Sequence, residues 1–166
     1  MRTANPFRVN LDTVPPEGLQ LSGEVTFSLL EVEDDDRVKC PEPLAFSLQI
    51  TIVQSSYLVQ GELRTVLRCR CDRCLCECER PVSTTDVCHL IEEGGDPIVD
   101  LTPDIREDIL LTFPHACLCK PDCLGLCARC GEDLNRAECT CPPETNDRGA
   151  WSALDALHLP TDAEGD

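Results

Sequence analysis

The sequence predicts an α+β domain: an antiparallel β-sheet, an open barrel or curved sheet, followed by short helices and a Cys-rich zinc module. Three observations carry that expectation. Apolar and polar residues alternate with a period of two through much of the first half of the chain. A proline marks a helix start near residue 102. Residues 117–141, CLCKPDCLGLCARCGEDLNRAECTC, then hold seven of the chain's fourteen cysteines.

Residues 19–29 place Leu19, Leu21, Val25, Phe27 and Leu29 on one parity and Gln20, Ser22, Glu24, Thr26 and Ser28 on the other, which predicts a half-buried strand. Residues 31–39, EVEDDDRVK, read as a charged loop whose acidic run is solvated. Leu44, Phe46, Leu48, Ile50 and Ile52 predict a second strand, and residues 57–67 pair with it after the turn at Gln54, Ser55 and Ser56. Gly61 suggests a bulge. This strand runs into the cluster CRCDRCLCEC at 69–78, where Cys69 and Cys71 share a face if the strand persists. A return strand is expected near 82–91. Short polar turns between strands imply antiparallel pairing with one wet face.

Gly94, Gly95 and Pro97 mark a boundary before Ile98. Thr102 or Asp100 then caps a helix with Pro103 in its first turn and Asp104 at its positive end. Leu101, Ile105, Ile109 and Leu110 are its expected buried stripe, and Pro114 stops it. A last helix at 147–158 carries Trp151, Leu154 and Leu157 on one side. The expected division is 1–96, a β-rich part with a CxxC cluster; 97–158, helix, zinc module and C-terminal helix; and 159–166, an acidic tail.

Composition bounds the function. The N-terminal stretch lacks the apolar run of a signal peptide, and no segment approaches about eighteen uninterrupted apolar residues. A cytoplasmic, non-membrane location is therefore expected. Thiols persist there, and clustered cysteines mean metal or redox chemistry more often than bridges. The net charge of −17 opposes a phosphate backbone, because the 14 basic residues do not gather in sequence; the densest group is Arg64, Arg68, Arg70 and Arg73, with Arg80 beyond. Such a field suits a basic protein partner.

Cys127 and Cys130 form a CxxC followed by Gly131, the spacing at which backbone N–H groups of a tight turn face two inward sulfurs. Cys139 and Cys141 follow at a distance that a hairpin through Asp133, Leu134 and Asn135 can close. These four suit a closed tetrahedral zinc site. Cys119 and Cys123 either replace the 139/141 pair or join Cys71 and Cys74, a second CxxC, in a site that ties the sheet to the module; one or two zinc ions follow. Cys40, Cys69, Cys76, Cys78, Cys88 and Cys117 are surplus, read as buried small residues or idle thiols. None of His89, His115 and His158 sits in a nucleophile–base pattern, so no enzyme is expected. His115 reads as a helix-end or surface residue rather than a ligand. Five cysteines at 69–78 leave iron–sulfur or thiol redox chemistry as an alternative, although no ferredoxin spacing is present. Direct RNA binding by the 64–80 arginines is a further one, weakened by interleaved acids and by a single Trp and a single Tyr.

The order CDRCL (71–75), DLTPDIREDILLTFP (100–114), LCKPDCLGLCARCGEDLNRAECTC (118–141) and DRGAWSAL (147–154) resembles the YceD family, the large ribosomal RNA subunit accumulation proteins. The resemblance covers about residues 20–157. It implies a non-enzymatic role in 23S rRNA accumulation and large-subunit assembly, with a basic ribosomal protein or an assembly intermediate as partner and ribosomal RNA as a possible contact. The chain departs from the family pattern in its extra Cys69, Cys76 and Cys78, and in DRGAW where a shorter DxRW is usual.

Overall fold

The computed structural model describes residues 5–92 and 95–142. The helix expected at 147–158 and the tail at 159–166 lie outside them. In chain order the elements are β1 (Arg8–Asn10), a 3-10 turn (Leu11–Thr13), β2 (Leu19–Val25), a second 3-10 turn (Phe27–Leu30), β3 (Val38–Lys39), β4 (Leu44–Val53), β5 (Ser56–Arg70), β6 (Glu77–Glu92), β7 (Ile98–Asp100) and α1 (Thr102–Leu111). The expected antiparallel sheet is present as a half-barrel. Where short helices were expected after it, one α-helix follows among the described residues.

β5 is the spine of the sheet. It pairs antiparallel with β4 on one side, then with β3 further along, and with β6 on the other side; β2 adds to β4. Alternation puts Leu44, Phe46, Leu48 and Ile50 of β4 and Val59 and Leu63 of β5 into the core, where they meet Phe7, Leu101, Ile105 and Ile109; Leu67, further along β5, is buried in a second cluster with Cys69 and Cys117. Ile52 departs from the expected inner set: at the strand's end it is 44% exposed among the described residues.

The β5–β6 register shifts at Gly61, as the bulge expectation placed it. Gly61 faces Val87 and Leu63 faces Thr84, so β6 advances one residue more than β5, and the additional residue sits in β6. The consequence is a change of parity along β6. Val87 and His89 point inward on one side of the shift, and Val82 and Cys78 on the other. A glycine is required opposite, because a Cβ at 61 would lie 2.8 Å from Leu48 Cα and still closer to the Ser47 carbonyl oxygen.

Two expectations are corrected. The strand predicted to reach Leu29 ends at Val25, and Phe27–Leu30 coil into a 3-10 turn. At three residues per turn Phe27 and Leu30 fall on one side, and both are buried, an outcome a period of two does not anticipate. The acidic loop is more than solvated: Asp35 accepts from the Arg37 and Val38 N–H groups (2.7 and 2.6 Å), and Asp34 accepts from that of Cys40 (2.8 Å). Those bonds, from Val38 first and then Arg37, hold the Asp35 carboxyl below its ordinary value. They also fold the loop so that β3 reaches the end of β5, Val38 opposite Cys69 and Lys39 opposite Arg68.

α1 begins where Asp100 accepts the Thr102 N–H (3.0 Å). Leu101, Ile105 and Ile109, four residues apart, form its buried stripe; Leu110, about 100° further round, is partly exposed and leaves the expected set. The Asp108 carboxylate meets His89 Nε2 of β6 at 2.7 Å and pins the helix to the sheet. β7 pairs with β1, a strand too short to show a period in sequence, and this ribbon holds Phe7 in the core. The helix then delivers the chain to the turn between β5 and β6.

Candidate metal centres

Two groups of four cysteines converge. Cys71 and Cys74, in the β5–β6 turn, meet Cys119 and Cys123, which follow α1; Cys127 and Cys130 meet Cys139 and Cys141. Within each group all four Sγ atoms lie within 4.8 Å of one another. The Cys71–Cys123 and Cys74–Cys119 separations are 3.8 and 3.6 Å; Cys130–Cys139 and Cys127–Cys139 are 3.5 and 3.3 Å. A metal–sulfur bond of about 2.3 Å gives a tetrahedron with edges of about 3.8 Å, so both donor sets fit a thiophilic dication.

The backbone explains why the sulfurs converge. In the first turn the Cys71 N–H donates to the Cys76 carbonyl (2.8 Å) and the Leu75 N–H to the Cys71 carbonyl (2.9 Å). In the second, the Cys127 N–H donates to the Glu132 carbonyl (2.8 Å) and the Gly131 N–H to the Cys127 carbonyl (2.9 Å). The two CxxC turns are therefore the same knuckle, residue 71 matching 127 and residue 76 matching 132. Each needs a left-handed residue just after its second cysteine. Gly131 supplies it at φ 74°, whereas Leu75 is held there at φ 60°. A side chain in that conformation costs about 1 kcal/mol. Leu75→Gly is accordingly expected to leave stability unchanged or raise it by up to about 1 kcal/mol, with part of the gain offset by the freer unfolded chain; urea unfolding checks this, and a clear loss would contradict it.

Electrostatics point the same way. Burial alone would push the Cys71 thiol up, but N–H groups of Cys74, Cys119 and Arg73 and the Cys74 thiol outweigh it and bring it down to about 6. The N–H groups of Cys130 and Arg129 do the same for Cys127, also to about 6. Their neighbours move oppositely. Burial, then the thiols of Cys74 and Cys123, raise Cys119, and proton sharing with Cys139 and Cys130 pushes Cys141 up to about 12. Four thiolates would crowd negative charge, and a cation at the centre would let all of them ionise.

Three residues to which the sequence assigned no role at the first centre brace it. Asp72 accepts the Cys117 N–H and gives its own N–H to the Cys117 carbonyl, both at 2.8 Å. Arg73 donates to the Cys123 carbonyl (2.8 Å). Asn135 donates to Cys123 Sγ (3.4 Å) and accepts the Leu124 N–H (2.9 Å), which joins the second hairpin to the first centre. Only the register of distant segments reveals these roles.

The other expected candidates fall elsewhere. β5 ends at Arg70, so Cys69 and Cys71 part company: Cys69 packs with Leu67 and Cys117, and Cys71 with Cys74 and Cys123. Burial, then the Cys117 thiol, push Cys69 up to about 12, as expected of an un-ionised thiol. Burial, then Asp34 and Asp35, push Cys40 up to about 11. Cys88 and His115 are exposed and join neither group.

Residues 86–158, which include six of these eight cysteines, match the family model described as large ribosomal RNA subunit accumulation protein YceD. Over this stretch, less than half of the chain, the sequence is similar to that family. It is 25% identical over 148 residues to an Arabidopsis thaliana protein named large ribosomal RNA subunit accumulation protein YCED homolog 1, chloroplastic, covering 64% of this chain and 46% of that one. The Zea mays protein of the same name is 32% identical over 71 residues, 42% of this chain and 24% of that one. An uncharacterized Mycobacterium leprae protein is 30% identical over 108 residues, 55% of this chain and 49% of that one. The chain thus spans less than half the length of these three relatives. No solved structure matches it. No helix among the described residues is long and apolar enough to cross a membrane.

Proposed function

We propose that this chain is a non-enzymatic assembly factor that supports 23S rRNA accumulation and large-subunit biogenesis, and that each four-cysteine centre holds a structural zinc ion. The observation that carries the reading is the YceD match over the module in which the sulfurs converge. Four sulfur ligands leave zinc no open position for substrate, which favours a structural over a catalytic role. A chain of charge −17 offers its acidic surface to a basic ribosomal protein or to an assembly intermediate that carries one. Depletion is expected to lower 23S relative to 16S rRNA, with a ribosomal protein recovered alongside the tagged chain. An unchanged ratio with no ribosomal protein recovered would remove the support.

One observation favours a second reading, direct contact with ribosomal RNA. Pairing of β3 with β5 sets Lys39 opposite Arg68 and brings Arg37 beside Arg70, whose N–H donates to the Arg37 carbonyl (2.9 Å). Like charges opposed on a sheet repel, and an anion relieves them. Glu77 and Glu79 face Arg70 and Arg68 from β6, which dilutes the patch and keeps the protein partner first. If RNA is the ligand, affinity falls steeply as salt rises and Lys39→Glu with Arg68→Glu abolishes it. Salt-insensitive recovery of the partner by that variant would exclude this reading.

A further inference from the structure

The first centre has more sulfur around it than one ion needs. Cys76 Sγ lies 3.3 Å from Cys74 Sγ. Cys76 is partly exposed and packs against the group formed by Cys71, Cys74 and Cys123. At the matching position of the second knuckle stands Glu132, so this surplus is particular to the first centre.

The second centre shows what a CxC pair can do. Cys139 and Cys141, one residue apart, both belong to the same four-sulfur group, with the Cys141 N–H donating to Cys139 Sγ (3.2 Å). Cys74 and Cys76 have the same spacing, and their sulfurs are in contact at 3.3 Å. A pair so spaced can present either of its sulfurs to one ion.

We propose that Cys76 is an alternate ligand of the first centre, interchangeable with Cys74, so that a thiophilic dication keeps four sulfurs when Cys74 is lost. The inference rests on the metal reading proposed above. The exchange is a ligand substitution with no change of oxidation state. The Cys76 thiol gives its proton to water and its sulfur bonds the metal; the metal–Cys74 bond breaks, and the Cys74 thiolate takes up a proton. The clasp between sheet and module then survives the loss of Cys74.

The test is metal stoichiometry by native mass spectrometry on the full chain, paired with the absorption spectrum after cobalt(II) replacement, which separates four-sulfur from three-sulfur coordination. Wild type, Cys76→Ser and Cys74→Ser are each expected to hold two ions, with all-sulfur spectra. Cys74→Ser with Cys76→Ser is expected to lose one ion, or to bind it through three sulfurs. A Cys74→Ser chain that drops to one ion, shows three-sulfur coordination, or fails to fold while Cys76→Ser folds, overturns the proposal and leaves the metal reading intact. A wild-type chain with no metal at the first centre overturns both.

Discussion

Cys71→Ser is expected to remove one of two zinc ions and to release the segment around Cys119 and Cys123 from the sheet. Cys71 is fully buried and is the thiol that nearby N–H groups bring down to about 6. A serine there offers a poor ligand inside a preformed sulfur cage. The first centre joins positions as far apart as 71 and 123. Closing a loop of that length in advance is worth about 4 kcal/mol on the chain-entropy estimate for a crosslink. The metal–sulfur bonds add to that, because binding free energy at such a site is also folding free energy. Native mass spectrometry should show the count fall from two to one, and hydrogen exchange should show lost protection at the Asp72 and Cys123 amides, which donate to Cys117 and Lys120 carbonyls. The second centre closes within residues 127–141 and is expected to stay loaded. An unchanged metal count with unchanged exchange would show that the first group is a packed set of thiols and no more.

Gly61→Ala is expected to cost about 3 kcal/mol, near the upper end for overpacking. The clash is with backbone, the Ser47 carbonyl oxygen and Leu48 Cα of β4, and so cannot be relieved by rotating a side chain. For a chain of this size that loss lowers the melting temperature by roughly 6–12 °C. The effect has a second part, because the β6 register shift occurs opposite this residue and sets which β6 residues face inward. A strand that relaxes the clash by slipping would turn His89 away from Asp108. Calorimetry reads the stability, and loss of helix protection in hydrogen exchange reads the slip. Wild-type stability in the alanine variant would mean that β4 and β5 lie further apart than described.

Much of this architecture is written in short stretches of chain. The alternation in 44–50 and 57–67, the proline-marked start of α1 and the turn chemistry of Cys127–Cys130–Gly131 depend on residues close together, and each appears where its pattern places it. What was illegible depended on partners far away. Phe27 and Leu29 satisfy a strand pattern until the core pulls Phe27 and Leu30 to one side of a tighter turn. Asp34 and Asp35 resemble any solvated acidic run until the N–H groups they cap are known. β1 shows no period at all and exists because β7 pairs with it.

The sequence by itself determined that sulfur would be grouped, that Cys127 and Cys130 would form a knuckle, and that an antiparallel sheet would lead into the first cluster, because spacing and periodicity act locally. Only the tertiary structure decided between the two places open to Cys119 and Cys123. They lie with Cys71 and Cys74 because β5 and β6 hold that turn rigid while α1, packed through Ile105 and Ile109, returns the chain to it. The same convergence set Cys76 beside Cys74, since a bonding distance between side chains is a property of folded segments and has no counterpart in spacing along the chain.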